Sequence, residues 1–258
     1  MLKEWPDVQE EFLTLAKVAE GYSIARFGDG EGKIMRGMAY VREPVQPELA
    51  QMLRTIISAP HDRCLIGIPT MNPQGPKYEG WQKRLPLFLA DLSPTVQYYS
   101  AFITRPDSAP WIETLTYARQ LESCWAGRKV AIVCEPWSKL LSVVKITARK
   151  VVHIPCPSHN AFAHLAGYEQ LILKSHAEIA LLSHGVSATV LAHRLASQGM
   201  WALDLGSIGG MLTRLLLNDT SESPVYVVLW HPEHPEVNQV RQALKSAGFR
   251  VEYCVGQK

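Results

Sequence analysis

Apolar positions along the chain change their period from one stretch to the next, and this alternation predicts an α/β protein. Residues 8–20 carry Val8, Phe12, Leu13, Leu15, Ala16 and Val18 at roughly helical spacing, with Asp7 as a cap and Gly21 as the stop. A short strand follows at 22–27. Pro47 starts a helix to about Ser58, and 63–68 is the next strand, closed by Pro69. Helices are expected at 81–91, from Pro110 to about Trp125, and around 138–148, 160–174, 187–199 and 235–247. The runs 129–134, 151–155, 179–183, 201–205 and 225–230 are short and apolar throughout, and 96–103 is strand-like. Strands that are apolar on both faces belong to a mainly parallel sheet, because helices cover both of its sides.

Two stretches break the alternation. Thr70–Gly80, rich in proline, glycine and amides, reads as a surface loop long enough to cover a ligand. The polar run Asn218–Pro224 separates a main body, 1–220, from a last strand-helix-strand unit, 221–258, which either completes the same sheet or forms an appendage.

Composition narrows the partners. The chain has 258 residues, enough for one large α/β domain or two small ones. Its charged fraction is 19% and its formal net charge +2, so no strong field draws it to nucleic acid or to an anionic membrane, and a small or locally charged ligand is expected. The N-terminus lacks an apolar stretch followed by a small-residue cleavage site, and no run approaches the ~18 apolar residues of a membrane span. The expectation is a soluble, cytoplasmic protein without a membrane span; a homo-oligomer is compatible with it. Five cysteines lie far apart without a CxxC pair and read as buried hydrophobes in a reducing compartment.

The chemistry concentrates where the 22–27 strand runs into Gly28-Asp29-Gly30-Glu31-Gly32. In an extended or tight-turn backbone, residues two apart point the same way, which would bring Asp29 and Glu31 to one point. Magnesium and manganese are normally held by one or two carboxylates together with substrate phosphate oxygens, so the pair suits a nucleotide diphosphate complex. The glycines let backbone N–H groups approach a phosphate, and Arg26 offers it a fork of donors. The same residues also make a good surface turn, with Arg26 pairing Glu31 on the rim.

The Arg26–Glu31 stretch resembles the Arg-Phe-Gly-Asp-Gly-Glu segment of the GT-D-type glycosyltransferases. Further stretches resemble the family in the same order: Ser100–Pro106, Val130–Glu135, Ile154–Phe162, and Leu181 through Gly185 and Ala188–Ala192 to Leu203–Gly206. Together they span about 22–210. The resemblance implies a Rossmann-like fold with helices on both faces of the sheet. It implies transfer of a hexose from a nucleotide diphosphate sugar, by type a UDP-sugar, to a glycan or other hydroxyl acceptor. It places a divalent cofactor, Mn2+ or Mg2+, and the donor diphosphate on Asp29 and Glu31, with Arg26, Gly28 and Gly30 beside them. The chain departs from the family where Gly206-Ser207-Ile208-Gly209 replaces Gly-His-Ile-Asp, and where Pro136-Trp137-Ser138-Lys139 follows Glu135.

Other candidates stand at strand ends, where α/β ligand sites gather. Arg105 is a donor-phosphate or acceptor contact, or an exposed loop arginine. Glu135 is a base or sugar-hydroxyl ligand, or a helix cap. Ser158 and Asn160 bind donor or cap the following helix. Gly185 permits close approach to a helix that starts at Ser187 or Ala188, carries Thr189 and has an amino end that suits phosphate, or is the glycine of an ordinary βα loop. Asp204 binds ribose or sugar hydroxyls, or caps. His231–Pro235 holds two histidines and an acid, but its prolines make it a rigid turn first. Two rival functions remain: a methyltransferase, read from the glycine-rich Leu203–Gly210, and an inactive nucleotide-sugar or glycan-binding module.

Overall fold

Short apolar runs that helices can cover on both sides form strands here, and segments with one apolar stripe lay it on the sheet. The structure, a computed structural model, describes residues 4–218 and, as backbone, 226–229 and 250–253. It divides into two compact units, Met1–Asp219 and Thr220–Lys258.

The first unit begins with β1 (Val8–Gln9), α1 (Glu11–Ala19), β2 (Ser23–Arg26), α2 (Asp29–Met35), α3 (Pro47–Ser58), β3 (Cys64–Ile68), α4 (Tyr78–Gln82) and β4 (Tyr98–Ser100). It continues with α5 (Leu115–Ser123), β5 (Lys129–Cys134), α6 (Lys139–Thr147), β6 (Lys150–Pro155), α7 (Leu165–Lys174), β7 (Ile179–Ser183), α8 (Ser187–Ser197), β8 (Ala202–Asp204) and α9 (Gly209–Leu217). All eight strands join one parallel sheet in the order β1-β4-β3-β2-β8-β7-β5-β6.

Alternate strand residues feed two cores. Ala25, Ile66, Val133 and Leu182 pack under α2, α3, α7 and α8, whereas Ile24, Leu65, Ile132 and Leu181 pack under α1, α5, α6 and α9. The largest buried rings also satisfy their polar atoms. Tyr98 Oη donates to Ile57 O at 2.9 Å, Tyr117 Oη to Ile103 O at 2.9 Å, and Trp125 Nε1 to Thr147 Oγ1 at 2.9 Å.

The topology fixes where a ligand can sit. From β2 the chain turns to α2 on one face of the sheet, and from β8 it turns to α9 on the other. Neighbouring strands whose following segments part in this way leave a crevice at their carboxyl ends, the usual ligand position of open α/β sheets.

Several boundaries differ from the sequence expectation. Val8 and Gln9 pair in parallel with Tyr98 and Tyr99 instead of opening a helix, which begins at Glu11 with no side-chain cap. The 81–91 helix is replaced by α4 and a single 3-10 turn at Leu85–Leu87, where Pro86 has no N–H to continue an α-helix. The 96–103 run is strand only to Ser100, whose hydroxyl accepts from Phe102 N at 3.0 Å and starts a 3-10 turn.

In the second unit β9 (Tyr226–Leu229) and β10 (Arg250–Tyr253) pair in parallel. The expected helix 235–247, the His231–Pro235 turn, Cys254 and most of the polar stretch before Pro224 lie outside the described residues. Among the described residues no helix is long and apolar enough to cross a membrane.

Candidate functional site

Gly28 leaves β2 with extended backbone, and Asp29 is already the first residue of α2. The Gly28 N–H donates to Glu31 Oε2 at 2.7 Å, so Glu31 folds back to cap its own helix. Ile34 and Met35, both buried, anchor that helix against the core. This corrects the extended-turn expectation: residues two apart on an α-helix point about 200° apart, so Asp29 and Glu31 diverge. Asp29 faces outward, its side chain 28% exposed and its Oδ2 3.9 Å from Lys33 Nζ. Glu31 faces inward and is 9% exposed.

The glycines of this segment serve protein packing. A Cβ on Gly30 would lie 2.9 Å from the Tyr40 ring, and one on Gly32 would lie 2.8 Å from Phe88. Close approach is indeed what they permit, but of side chains from neighbouring loops.

Behind α2 lies a buried polar cluster. Arg26 Nε donates to Asp204 O at 2.6 Å, its Nη2 to Asp204 Oδ1 at 3.0 Å and its Nη1 to Ala101 O at 3.1 Å. Three donors are thus spent on tying together the ends of β2, β8 and β4, and the pair is buried, at 10% and 5% side-chain exposure. Arg26 is a clamp in this arrangement, not an open phosphate fork, and Asp204 is its counter-ion. Thr189 Oγ1 donates to Arg26 O at 2.8 Å and lies 3.3 Å from Glu31 Oε1 and 3.4 Å from Asp204 Oδ2. Burial, and then the charge of Asp204, push Glu31 up to about 7.

The remaining candidates stand at the carboxyl ends of the other strands. Arg105 grips Asp107 with Nε at 2.8 Å and Nη2 at 2.9 Å, holding that carboxyl well below the usual carboxylate range, and Lys77 from the 70–80 loop joins the same carboxylate. The segment that carries Arg105 is braced from below by the buried Glu11, which accepts from Ser100 Oγ at 2.6 Å, Thr70 Oγ1 at 2.7 Å and Trp111 Nε1 at 2.8 Å. Gly185 has a φ of +78° and open space where a side chain would be, just before α8. Ser158 sits in the loop after β6. Asn160 does not cap the helix that follows; it has a φ of +55°, and its Oδ1 accepts from Gln46 Nε2 at 2.8 Å. Glu135 follows β5 and meets Arg42 Nη1 at 3.4 Å.

Residues 36–46, between α2 and α3, carry site features the sequence reading missed. Tyr40 and Glu43 exchange backbone hydrogen bonds at 3.0 and 3.1 Å, and Asn160 N donates to Arg42 O at 2.9 Å. The buried Glu43 accepts from Gln46 Nε2 at 3.0 Å and Phe162 N at 3.3 Å. No periodicity marks this stretch, and its partners lie about a hundred residues away, so only its mixture of Tyr, Arg and Glu set between two helices hinted at a role. His184 is a second such residue: 5% exposed, ring against Tyr168 at 5.5 Å, both nitrogens without a hydrogen bond, and held at about 3 by burial.

Burial pushes Glu43 up from 4.5 to about 7. Between those values the folded chain holds a proton that the unfolded chain has released, so this group favours folding at low pH and its contribution is lost as pH rises to 7. Glu43→Gln abolishes the titration. Its stability relative to wild type is expected to rise by about 3 kcal/mol between pH 4.5 and 7.5 in urea denaturation, and a pH-independent difference would contradict this account.

The glycine-rich 206–210 turn is closed. Gly206 has a φ of +51°, and a side chain there would strike the Arg26 guanidinium; a Cβ on Gly209 would strike the backbone at Leu140, where α9 meets the start of α6. These glycines fit protein against protein and leave no room between those partners for a cofactor. The same contact explains why no aspartate stands at 209.

Among the described residues, no three or more His, Cys, Asp or Glu gather as a metal cage. Only the Asp29 carboxylate of the pair turns outward, so a divalent cation here would take one protein carboxylate and be completed by phosphate oxygens and water.

Residues 24–210 match the family model described as Glycosyltransferase GT-D fold. The chain belongs to the GT-D glycosyltransferase family. Among curated relatives it is 29% identical over 204 residues to a probable glycosyl transferase Gly of Streptococcus gordonii, covering 73% of this chain and 30% of that protein. It is 27% identical over 202 residues to glycosyltransferase GlyD of Streptococcus pneumoniae, covering 72% and 25%. The chain therefore spans less than a third of the length of these relatives. A solved glycosyltransferase structure from Streptococcus sanguinis superposes with a TM-score of 0.70 at 25% identity, over 97% of this chain and all of the other. A second structure, of domain of unknown function 1792 with a distinct glycosyltransferase fold, gives 0.72 at 24% identity over 96% and 92%, a likeness of fold alone.

Proposed function

We propose that this chain transfers a hexosyl group from a nucleoside diphosphate sugar, a UDP-sugar by type, to a hydroxyl of a glycan acceptor, as a step of polysaccharide or glycan assembly. The observation that carries the reading is Asp29: a partly exposed, outward-facing carboxylate at the first turn of α2, at the end of β2, in the crevice between β2 and β8 of a GT-D chain.

Asp29 would hold a manganese or magnesium ion together with the donor's phosphate oxygens, with Glu31, turned inward as the helix cap, bracing the turn behind it. The ion when bound supplies positive charge to the leaving diphosphate. The protein's own part is positioning. Arg26, Thr189 and Asp204 fix the ends of β2 and β8, so that α2 presents Asp29 from a rigid base. Gly185 leaves open space just before α8, and the amino end of a helix favours an anion. Arg105 and Lys77 add positive charge at the rim. β5 lies three strands from β2, about 14 Å at the usual spacing, a gap that the Asp29 and Glu135 side chains and a hexosyl group bound between them would span. A carboxylate there accepts the acceptor hydroxyl's proton as the new glycosidic bond forms and the bond to the diphosphate breaks.

The test is equilibrium binding of a panel of nucleotide sugars, with and without manganese, followed by donor hydrolysis. A uridine diphosphate sugar is expected to bind only with the metal, and Asp29→Ala to weaken it on the order of a hundredfold. Metal-dependent binding without turnover on any acceptor would favour the inactive binding module, and binding unaffected by Asp29→Ala would remove the reading.

A further inference from the structure

The 36–46 segment touches both halves of the site. At one end the Tyr40 ring fills the space over Gly30 in the first turn of α2, and Lys33 Nζ lies 5.6 Å from its centroid. At the other, Arg42 reaches Glu135 at the end of β5, 93 residues away, while its carbonyl accepts from Asn160 after β6. Gln46 donates to both Asn160 Oδ1 and Glu43 Oε1, and Glu43 accepts from Phe162 N. One short segment, pinned at each end by a helix, thus fixes Glu135 and Asn160, which belong to different strand ends. It does so while resting on the helix that carries Asp29.

We propose that residues 36–46 are a positioning strap for the acceptor half of the site, and that Arg42 is the residue through which the strap orients Glu135. This rests on the glycosyltransferase reading above. Arg42 is a positioning residue: it meets the Glu135 carboxylate rather than the reacting atoms. The contact runs from Arg42 Nη1 to one carboxylate oxygen, Glu135 Oε1, at 3.4 Å.

The experiment compares transfer kinetics of wild type, Arg42→Ala, Arg42→Lys, Glu135→Gln and the double variant Arg42→Ala/Glu135→Gln, together with donor affinity measured separately. Arg42→Ala is expected to lower kcat on the order of tenfold to a hundredfold while donor Kd stays within about twofold, and Arg42→Lys to recover most of the loss. The double variant is expected to be no slower than Glu135→Gln alone, because Arg42 acts through Glu135. Losses that multiply, or a donor Kd that worsens in step with kcat, would mean a general structural role and overturn the proposal; so would an unchanged kcat.

A second measurement needs no sugar chemistry. In hydrogen exchange, Glu135→Gln is expected to speed exchange of the 40–46 amides and of Asn160 N–H, which donates to Arg42 O. No change there overturns the strap even if transfer proves slow. A wild-type chain that binds no nucleotide sugar, yet shows this exchange response, would instead sink the glycosyltransferase reading and leave the strap standing.

Discussion

Arg26→Ala loses about 3–5 kcal/mol of folding stability in urea denaturation, the cost of stripping one partner from a buried ion pair. The guanidinium spends three donors on Asp204 O, Asp204 Oδ1 and Ala101 O. Its removal leaves the Asp204 carboxylate, 5% exposed, without its cation and beside Glu31, two carboxylates with one threonine hydroxyl between them. Arg26→Lys recovers a part only, because an ammonium is a compact point charge and cannot reproduce the fork that spans β8 and the segment after β4. The result separates two roles for the same residue. An arginine waiting for phosphate would, on removal, weaken donor binding and leave stability within about 0.5 kcal/mol, the usual effect of a surface change.

Gly209→Ala is the second large effect, and it bears on the glycine-rich turn. The added methyl would strike Leu140 N and press to 3.0 Å on Lys139 C and 3.1 Å on Leu140 Cα. These are backbone atoms that cannot rotate away, so α6 and α9 must part. Forcing extra volume into a packed contact costs about 1–3 kcal/mol and more where the backbone must move. Thermal unfolding is expected to fall by roughly 5–10 °C, at ~2–4 °C per kcal/mol for a chain of this size. Gly167→Ala is the control. It sits within α7 with nothing inside 4 Å of an added Cβ, and alanine there gains ~0.5–1 kcal/mol of helix stability. A Gly209→Ala chain as stable as wild type would reopen the turn as a cofactor loop.

What the sequence showed and what it hid follow from the range of the interactions. Buried strands were legible because Val130–Cys134 or Ile179–Leu182 must be apolar on both faces, a local demand on every residue. Their parallel pairing followed from the same demand. The Arg26–Glu31 segment was legible as a place and misleading as a shape. Its alternation of glycine and carboxylate reads as a turn, yet the burial of Ile34 and Met35 and the cap from Glu31 extend α2 back to Asp29. Glycine propensity lost to tertiary packing. Arg26 was misassigned for the opposite reason: its acceptors on Asp204 lie 178 residues away, and no local pattern records them. Arg42 and Glu43 were missed because a strap between helices has neither period nor motif, and its significance appears only once Glu135 and Asn160 arrive from other strands.

The seam between β2 and β8, where Ile24 meets Leu203, has a consequence for how the molecule is made. It joins strands that are close in space and nearly as far apart in sequence as the first unit allows. Contacts of such separation are late events, since the intervening chain must be ordered before the pairing is rewarded. On the ribosome, β2, β3 and β4 can associate while the C-terminal half is still being synthesised, but Arg26 has no counter-ion until Asp204 emerges. A nascent or truncated chain can therefore assemble much of its sheet and still lack the closed floor beneath Asp29, so ligand competence arrives with the last central strand and reports that the whole sheet has closed.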